Sequence, residues 1–557
     1  MTGKIFAAII MLSLSMFFSC SKSVTEDELS PRNPQTLSFY NADMSDYILF
    51  KDPVAREITR QTGITLDITP LKTSVEQDVS MMITADRYQD LIYAKSEITK
   101  LIEKNAVIAL DDWISPSGEH INLIETYGKN LRDLYGDELV KLRHTDGHIY
   151  TFGTYGVKTA INETYGYMQI QHAVLKELGY PRLQTLEDFS NAIRAYKKKH
   201  PTIGGKATIG LSLLTNGWLW YVGLSNPGNY SIGYPDDGQW IVDRETHHAE
   251  YKFLNPEMNQ FYRWLNMLYA EGLLDPESFT QSEEVWKAKV SSGTVLSLSS
   301  PDWEFSDPCK NLVADGMSER TYAYLPIVAD AKKYKDPSLT DYGFSGGWGI
   351  SISKDCKNVI LAFKFMDWMC SEEAQILTNW GLRDVNYELV NGARTVPESE
   401  QTLFLTDPNY SRKTGVGLWT YPFPERGDGA QDSNGDWITK NSMRQIIDSY
   451  LPVEKETLDA YGAKMWTELF PQSGELYKPI HGQIWQYGLS QDFANKVSDA
   501  DDFVHRSLIE CIVNPPEEFD ARWDAMVASL KEMGMEEAGD KLSEMIQEKL
   551  KLWGVTR

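Results

Sequence analysis

A strand–helix alternation beginning at Leu37 leaves few folds open to this chain. Leu37-Ser38-Phe39-Tyr40 has the pattern of a short strand. Asp52 and Pro53 mark an N-cap and a first helical position; Val54, Ala55 and Ile58 share one face, and Gly63 stops the helix. Ile64, Leu66 and Ile68 then alternate with polar residues as a strand does. A helix at about Val75–Thr84, a strand at Leu91-Ile92-Tyr93 and a helix at about Glu97–Lys104 follow. Strands at this spacing are joined by right-handed crossovers, which predicts an α/β lobe with a largely parallel sheet.

The theme returns with longer insertions. Thr185 and Asp188 form a capping-box pattern before a helix whose buried face is Phe189, Ala192, Ile193 and Tyr196. Helices are expected around 259–271 and 283–289, a strand at 294–299, a strand at 348–353, and a helix pair at 358–369 and 372–380. From Pro516 the tail is helical, with Phe519, Trp523, Met526, Val527 and Leu530 on one face and Leu542, Met545, Ile546 and Leu550 on the next. At 557 residues the chain is too long for one core. No repeat of 20–50 residues is seen, so solenoids and propellers are not expected.

Residues 1–19 read as an address. Lys4 precedes an apolar run from Ile5 to Phe18 that is too short to span a bilayer and fits a secretory signal. The run ends in Ser19-Cys20, which resembles a bacterial lipobox, so Cys20 is expected to be lipidated and to become the mature N-terminus. Residues 20–36 lack hydrophobic periodicity and read as a flexible tether.

The formal charge of −25 argues against partners bound through phosphates, and nucleic acid is not expected. Lys197-Lys198-Lys199 is read as a solvated helix end. Cys309, Cys356, Cys370 and Cys511 have no metal-like spacing, and free thiols are the favoured reading. The chain carries no H-E-x-x-H, G-x-S-x-G, P-loop or dinucleotide fingerprint, so no catalytic residue and no cofactor are assigned. His247-His248 is read as a surface pair. Asp432-Ser433-Asn434-Gly435-Asp436-Trp437 has oxygen ligands at alternate positions, but Trp437 and Met443 stand where a calcium loop wants Gly and Glu. It is read as a polar turn, and no metal is assigned.

The informative feature is aromatic supply. Of 16 Trp and 29 Tyr, many lie beside Gly, Asn or Asp in expected loops: Asn216-Gly217-Trp218-Leu219-Trp220, Pro301-Asp302-Trp303 and Gly346-Gly347-Trp348 are examples. Flat aromatic faces suit the C–H faces of sugar rings, while carboxylates and amides take the hydroxyls. Trp264, Trp368, Trp466 and Trp523 lie on helical faces and read as core.

The order of segments also resembles the extracellular solute-binding proteins of ABC importers, in particular the lipoproteins of the LplA-like, oligosaccharide-associated group. The stretches that carry the likeness are Thr62-Gly63-Ile64-Thr65-Leu66, Asp146-Gly147-His148-Ile149-Tyr150, Leu178-Gly179 through Phe189, Tyr269-Ala270-Glu271-Gly272-Leu273-Leu274-Asp275-Pro276-Glu277, Gly347 through Asn358, and Arg522-Trp523-Asp524 through Gly534. The resemblance implies a two-lobed periplasmic-binding-protein-like α/β fold of type II, with a hinge between lobes and a helical C-terminal region. It further implies a monomer on the extracytoplasmic face of a membrane, capturing an oligosaccharide in the interlobe cleft and delivering it to permease subunits. Alginate-binding relatives carry a calcium loop where this chain has His200-Pro201-Thr202-Ile203-Gly204-Gly205-Lys206-Ala207, without its acids, so that site is not carried over. The expected division is 37–155 plus 325–390 for one lobe and 156–324 plus 391–557 for the other. Strand ends on such a fold face the cleft. The expected ligand contacts are therefore Trp218, Trp220, Trp303 and Trp348, with Arg383, Asp384, Tyr387 and Asn41 supplying polar groups. The alternatives are a mainly helical SusD-type surface glycan-binding lipoprotein and an extracellular glycosidase or lyase.

Overall fold

The computed structural model describes residues 33–114, 126–153, 163–164, 166–344 and 348–555. Cys20 and most of the tether lie outside them. Two sheets organise the chain, each with its own core. The first contains β1 (Gln35–Asn41), β2 (Ile64–Pro70), β3 (Leu91–Tyr93), β4 (Thr151–Phe152) and, from much later in the chain, β9 (Ile350–Ile352). Its order is β2-β1-β3-β9-β4. β1 runs parallel to both neighbours, with Phe39 opposite Ile68 and Leu91. β9 and β4 complete the sheet in antiparallel pairings. The second sheet has the order β8-β5-β7-β6, from β5 (Met168–Gln171), β6 (Ile209–Ser212), β7 (Val295–Leu298) and β8 (Tyr322–Leu325). Here β6 and β7 are parallel, and β5 is antiparallel to β7 and β8. These sheets, with their parallel pairs, give the α/β plan expected of the chain, alongside a larger helical share.

Local signals act as the sequence predicts. Asp52 accepts the Ala55 N–H at 2.9 Å to start the helix Pro53–Thr62, Gly63 ends it at φ +69°, and Val54, Ala55 and Ile58 are fully buried. Thr185 and Asp188 exchange both capping-box bonds ahead of the helix Leu186–Lys199, whose last turn is the Lys197–Lys199 run. The chain ends in three helices, Gln491–Val513, Phe519–Glu532 and Met535–Leu552, which bury Trp523, Leu530, Leu542 and Ile546 in the second core. All four described cysteines are free, with Cys309 half-buried and the others buried.

Lobe membership departs from the expected boundaries in three places. Gln35 and Thr36, expected in the tether, already pair with Ile64 and Thr65. Leu325 and Ile327 belong to the second core, and the chain rejoins the first core only at Phe344. Tyr410, Val416, Trp419 and Phe423, expected in the second lobe, pack in the first. The tie is specific: the Trp419 indole N–H donates to the Asp52 carboxylate at 2.8 Å. Gly415, at φ +84°, passes so near Asp52 that an added Cβ would collide with its carboxylate. From Leu458 onward most buried apolar side chains join the second core, among them Trp466, Ile484, Phe493 and Val504.

Candidate functional site

The two sheets present corresponding strand ends to one another. Asn41 closes β1, Lys95 follows β3 by two residues, and Trp348 precedes the antiparallel β9, so all three stand at one edge of the first sheet. Trp218 and Trp303 follow the carboxyl ends of the parallel strands β6 and β7. Open α/β sheets bind ligands at such ends, in the crevice between lobes.

Trp218 and Trp303 form a stacked pair, with ring centroids 5.9 Å apart and planes at 17°. They are 57% and 52% exposed, a large apolar surface left open to solvent. Trp303 lies in the first turn of the helix Asp302–Ala314, not in a loop. Lys95 crosses from the other lobe and places its ammonium 5.8 Å from the Trp218 ring and 5.7 Å from the Trp348 ring. Trp348 is half-buried; its indole N–H donates to the Trp485 carbonyl at 3.2 Å and its ring meets Trp485 edge-on at 4.7 Å. Trp485 belongs to a turn whose Ile484 lies in the second core, so Trp348 links the lobes as well as facing the crevice.

Charge around the rings is mixed. Lys95 forms an ion pair with Asp43, and the Asp43 N–H donates to the Asn41 side-chain oxygen at 3.0 Å. Burial, reinforced by Glu163, pushes the Asp302 carboxyl up to about 7 despite its place in the first turn of a helix. A separate hollow of about 700 Å³ opens beside Glu163, lined by Arg394, Phe404, Tyr410, Lys440 and Arg444 among others.

The remaining expected contacts fall elsewhere. Trp220 is only 3% exposed and stacks on His505 at 4.9 Å, as a core residue. Asn41 is buried at 2% exposure and organises the turn that carries Asp43. Arg383, Asp384 and Tyr387 form a turn before the hairpin Glu388–Val390/Ala393–Thr395. There the Asp384 N–H donates to the Tyr387 carbonyl at 2.7 Å, and the Tyr387 ring meets Trp380 at 5.9 Å. The Arg383 and Asp384 side chains are largely exposed and 3.8 Å from one another, and among the described residues none of the three is seen against the Trp218–Trp303 pair. His247 is buried too, 5.9 Å from the His481 ring, whereas its neighbour His248 is exposed. Lys95, Asp43 and Trp485 went unmarked in the sequence. For the first two the available signal was position, just beyond parallel strands β1 and β3; for Trp485 there was none.

The Asp432–Trp437 segment is a turn whose two acids share one cation. Buried Arg394 stands 2.8 Å from the Asp432 carboxylate and 3.4 Å from that of Asp436. Asp432 also accepts the N–H groups of Asn434 and Asp436. The corresponding stretch after the Leu186–Lys199 helix is a hairpin, Thr202–Ile203 with Lys206–Ala207, and its strands carry no acid.

A pair of α/β lobes with aromatic strand ends facing across a crevice defines a ligand-trapping binding protein. Residues 54–393 match the family described as bacterial extracellular solute-binding protein, and the chain belongs to that family. It is similar to lipoprotein LipO of Bacillus subtilis strain 168, at 25% identity over 287 residues. That match spans about half the length of each, 48% of this chain and 52% of the relative. The fold resembles an EF-hand mutant of the S. pneumoniae ABC-transporter substrate binding protein FusA, in complex with fructo-nystose. The TM-score is 0.67 at 19% identity, covering 92% of this chain and 99% of the other. It also resembles the alginate-binding protein AlgQ2, with a TM-score of 0.62 at 17% identity over 92% and 98% of the two chains. These likenesses establish the two-lobed solute-binding fold.

Proposed function

We propose that this protein captures an oligosaccharide in the crevice between its lobes and delivers it to the membrane permease of an ABC importer, binding its ligand without converting it. The observation that carries the reading is the half-exposed, stacked Trp218–Trp303 pair, set at the carboxyl ends of β6 and β7 and faced by Lys95. Indole faces of this kind match sugar C–H faces, and stacking contributes roughly 0.5–1.5 kcal/mol per ring beyond area burial. A micromolar complex needs about 8 kcal/mol, so hydroxyl hydrogen bonds and lobe closure supply the larger share. Lipidation at Cys20 would hold a monomeric receptor beside its permease, and the carbohydrate-binding neighbours support the same assignment.

Calorimetry against a panel of oligosaccharides tests this. At least one should bind, and Trp218→Ala or Trp303→Ala should weaken it about tenfold or more. Because both rings are exposed, the melting temperature should hold. Equal affinity in both variants, or hydrolysis of the bound sugar by pure protein, would count against the proposal.

A further inference from the structure

The charge of the glycan is written into the residues around the tryptophans. Lys95 has a left-handed backbone, with φ +50°. That conformation is unfavourable for a residue with a Cβ and persists only where its surroundings over-determine it. Here they do: the ammonium is held by Asp43 and lies over two indole faces, one in each lobe. Asp43 is itself held by buried Asn41, so the partner that neutralises Lys95 is built in. On the opposite wall Asp302 adjoins Trp303, with Glu163 close enough to oppose its ionisation. The Lys95 charge is thus already engaged by Asp43 within its own lobe.

We propose that the crevice selects neutral oligosaccharides against uronate-bearing ones, with Lys95 as the specificity-determining residue. The inference rests on the glycan-binding reading above and narrows its ligand. Lys95 donates hydrogen bonds to sugar hydroxyls, which need no countercharge, while Asp43 occupies the place a sugar carboxylate would take. A uronate entering the crevice meets the Asp43 carboxylate, and the Lys95 charge that could pair with it is already engaged there. The fold itself does not settle this choice, since neighbours of the same architecture include one solved with fructo-nystose and one that is alginate-binding.

The test is calorimetry of the purified full chain against neutral probes (kestose and the tetrasaccharides of mannan, xylan and cellulose) and acidic ones (alginate and polygalacturonate tetrasaccharides). A neutral probe should bind at least a hundredfold more tightly than either acidic one. Asp43→Asn should raise affinity for an acidic probe tenfold or more by freeing the Lys95 charge. Lys95→Gly relieves the left-handed backbone, so its melting temperature should hold or rise while neutral-probe affinity falls tenfold or more. A purely structural lysine would give the opposite pattern, lower stability with unchanged affinity. The proposal is overturned if wild-type protein binds an acidic probe as tightly as any neutral one, or if Lys95→Gly leaves neutral affinity intact. Binding of acidic probes alone overturns only the charge selection, whereas binding of no probe in either class removes the glycan reading and this inference together.

Discussion

Trp218 and Trp220 stand two residues apart and have opposite fates, the first open in the crevice and the second packed against His505. Gly217 at φ +57° starts a tight helical turn, Gly217–Leu219, and residues two apart on such a turn point in different directions. Loop composition alone could not separate them. Asp302 shows the same dependence on surroundings. Its carboxyl ionises near the ordinary carboxylate value of 3.8 when unfolded and near 7 when folded, because burial outweighs the helix terminus. Between about pH 4 and 7 the folded state therefore holds more protons than the unfolded state. Its contribution to stability falls as pH rises through that window and is constant above it. Asp302→Asn, which has no charge to bury, should match wild type in urea unfolding at pH 4 and exceed it at pH 8. An equal difference at both pH values would refute the assigned shift.

Among the elements, those with complete local signals were legible in advance: the Asp52-capped helix, the Thr185–Asp188 capping box and the amphipathic tail helices all form where their residues point. The strands that return to complete each sheet were less so. β4 has two residues and β9 three, and neither carries enough alternation to declare its partner. The Arg394 hairpin is a third case. Its guanidinium occupies the space between Asp432 and Asp436 and also donates to the Trp437 carbonyl at 2.7 Å. Its partners were readable only as a calcium-like pattern, because the cation that pairs them arrives from nearly forty residues upstream. Breaking a buried pair from one side costs about 3–5 kcal/mol. Arg394→Ala should lower the urea midpoint accordingly, and exhaustive chelation of wild-type protein should leave the melting temperature unchanged. A calcium-reversible drop on chelation would show that a metal holds this turn.

At the scale of the whole molecule, the proposed lipid anchor at Cys20 lies outside the described lobes and can be tested apart from them. Cys20→Ala should move the protein from the membrane fraction to the soluble one while ligand affinity stays the same; a variant still held on membranes would disprove the lipid anchor. The chain by itself determined the α/β class, the two-lobed plan through its ordered family segments, the helical tail and the supply of loop tryptophans. These follow from local periodicity, capping chemistry and composition, which act over a few turns of backbone. Only the tertiary structure decided that residues 410–423 close the first core, that Trp220 is buried while Trp218 and Trp303 stack, and that Lys95 bridges to the facing lobe. Each of those outcomes depends on segments far apart in the chain meeting in one place. The meeting is set by how two cores pack and face each other, and no stretch of neighbouring residues encodes it alone.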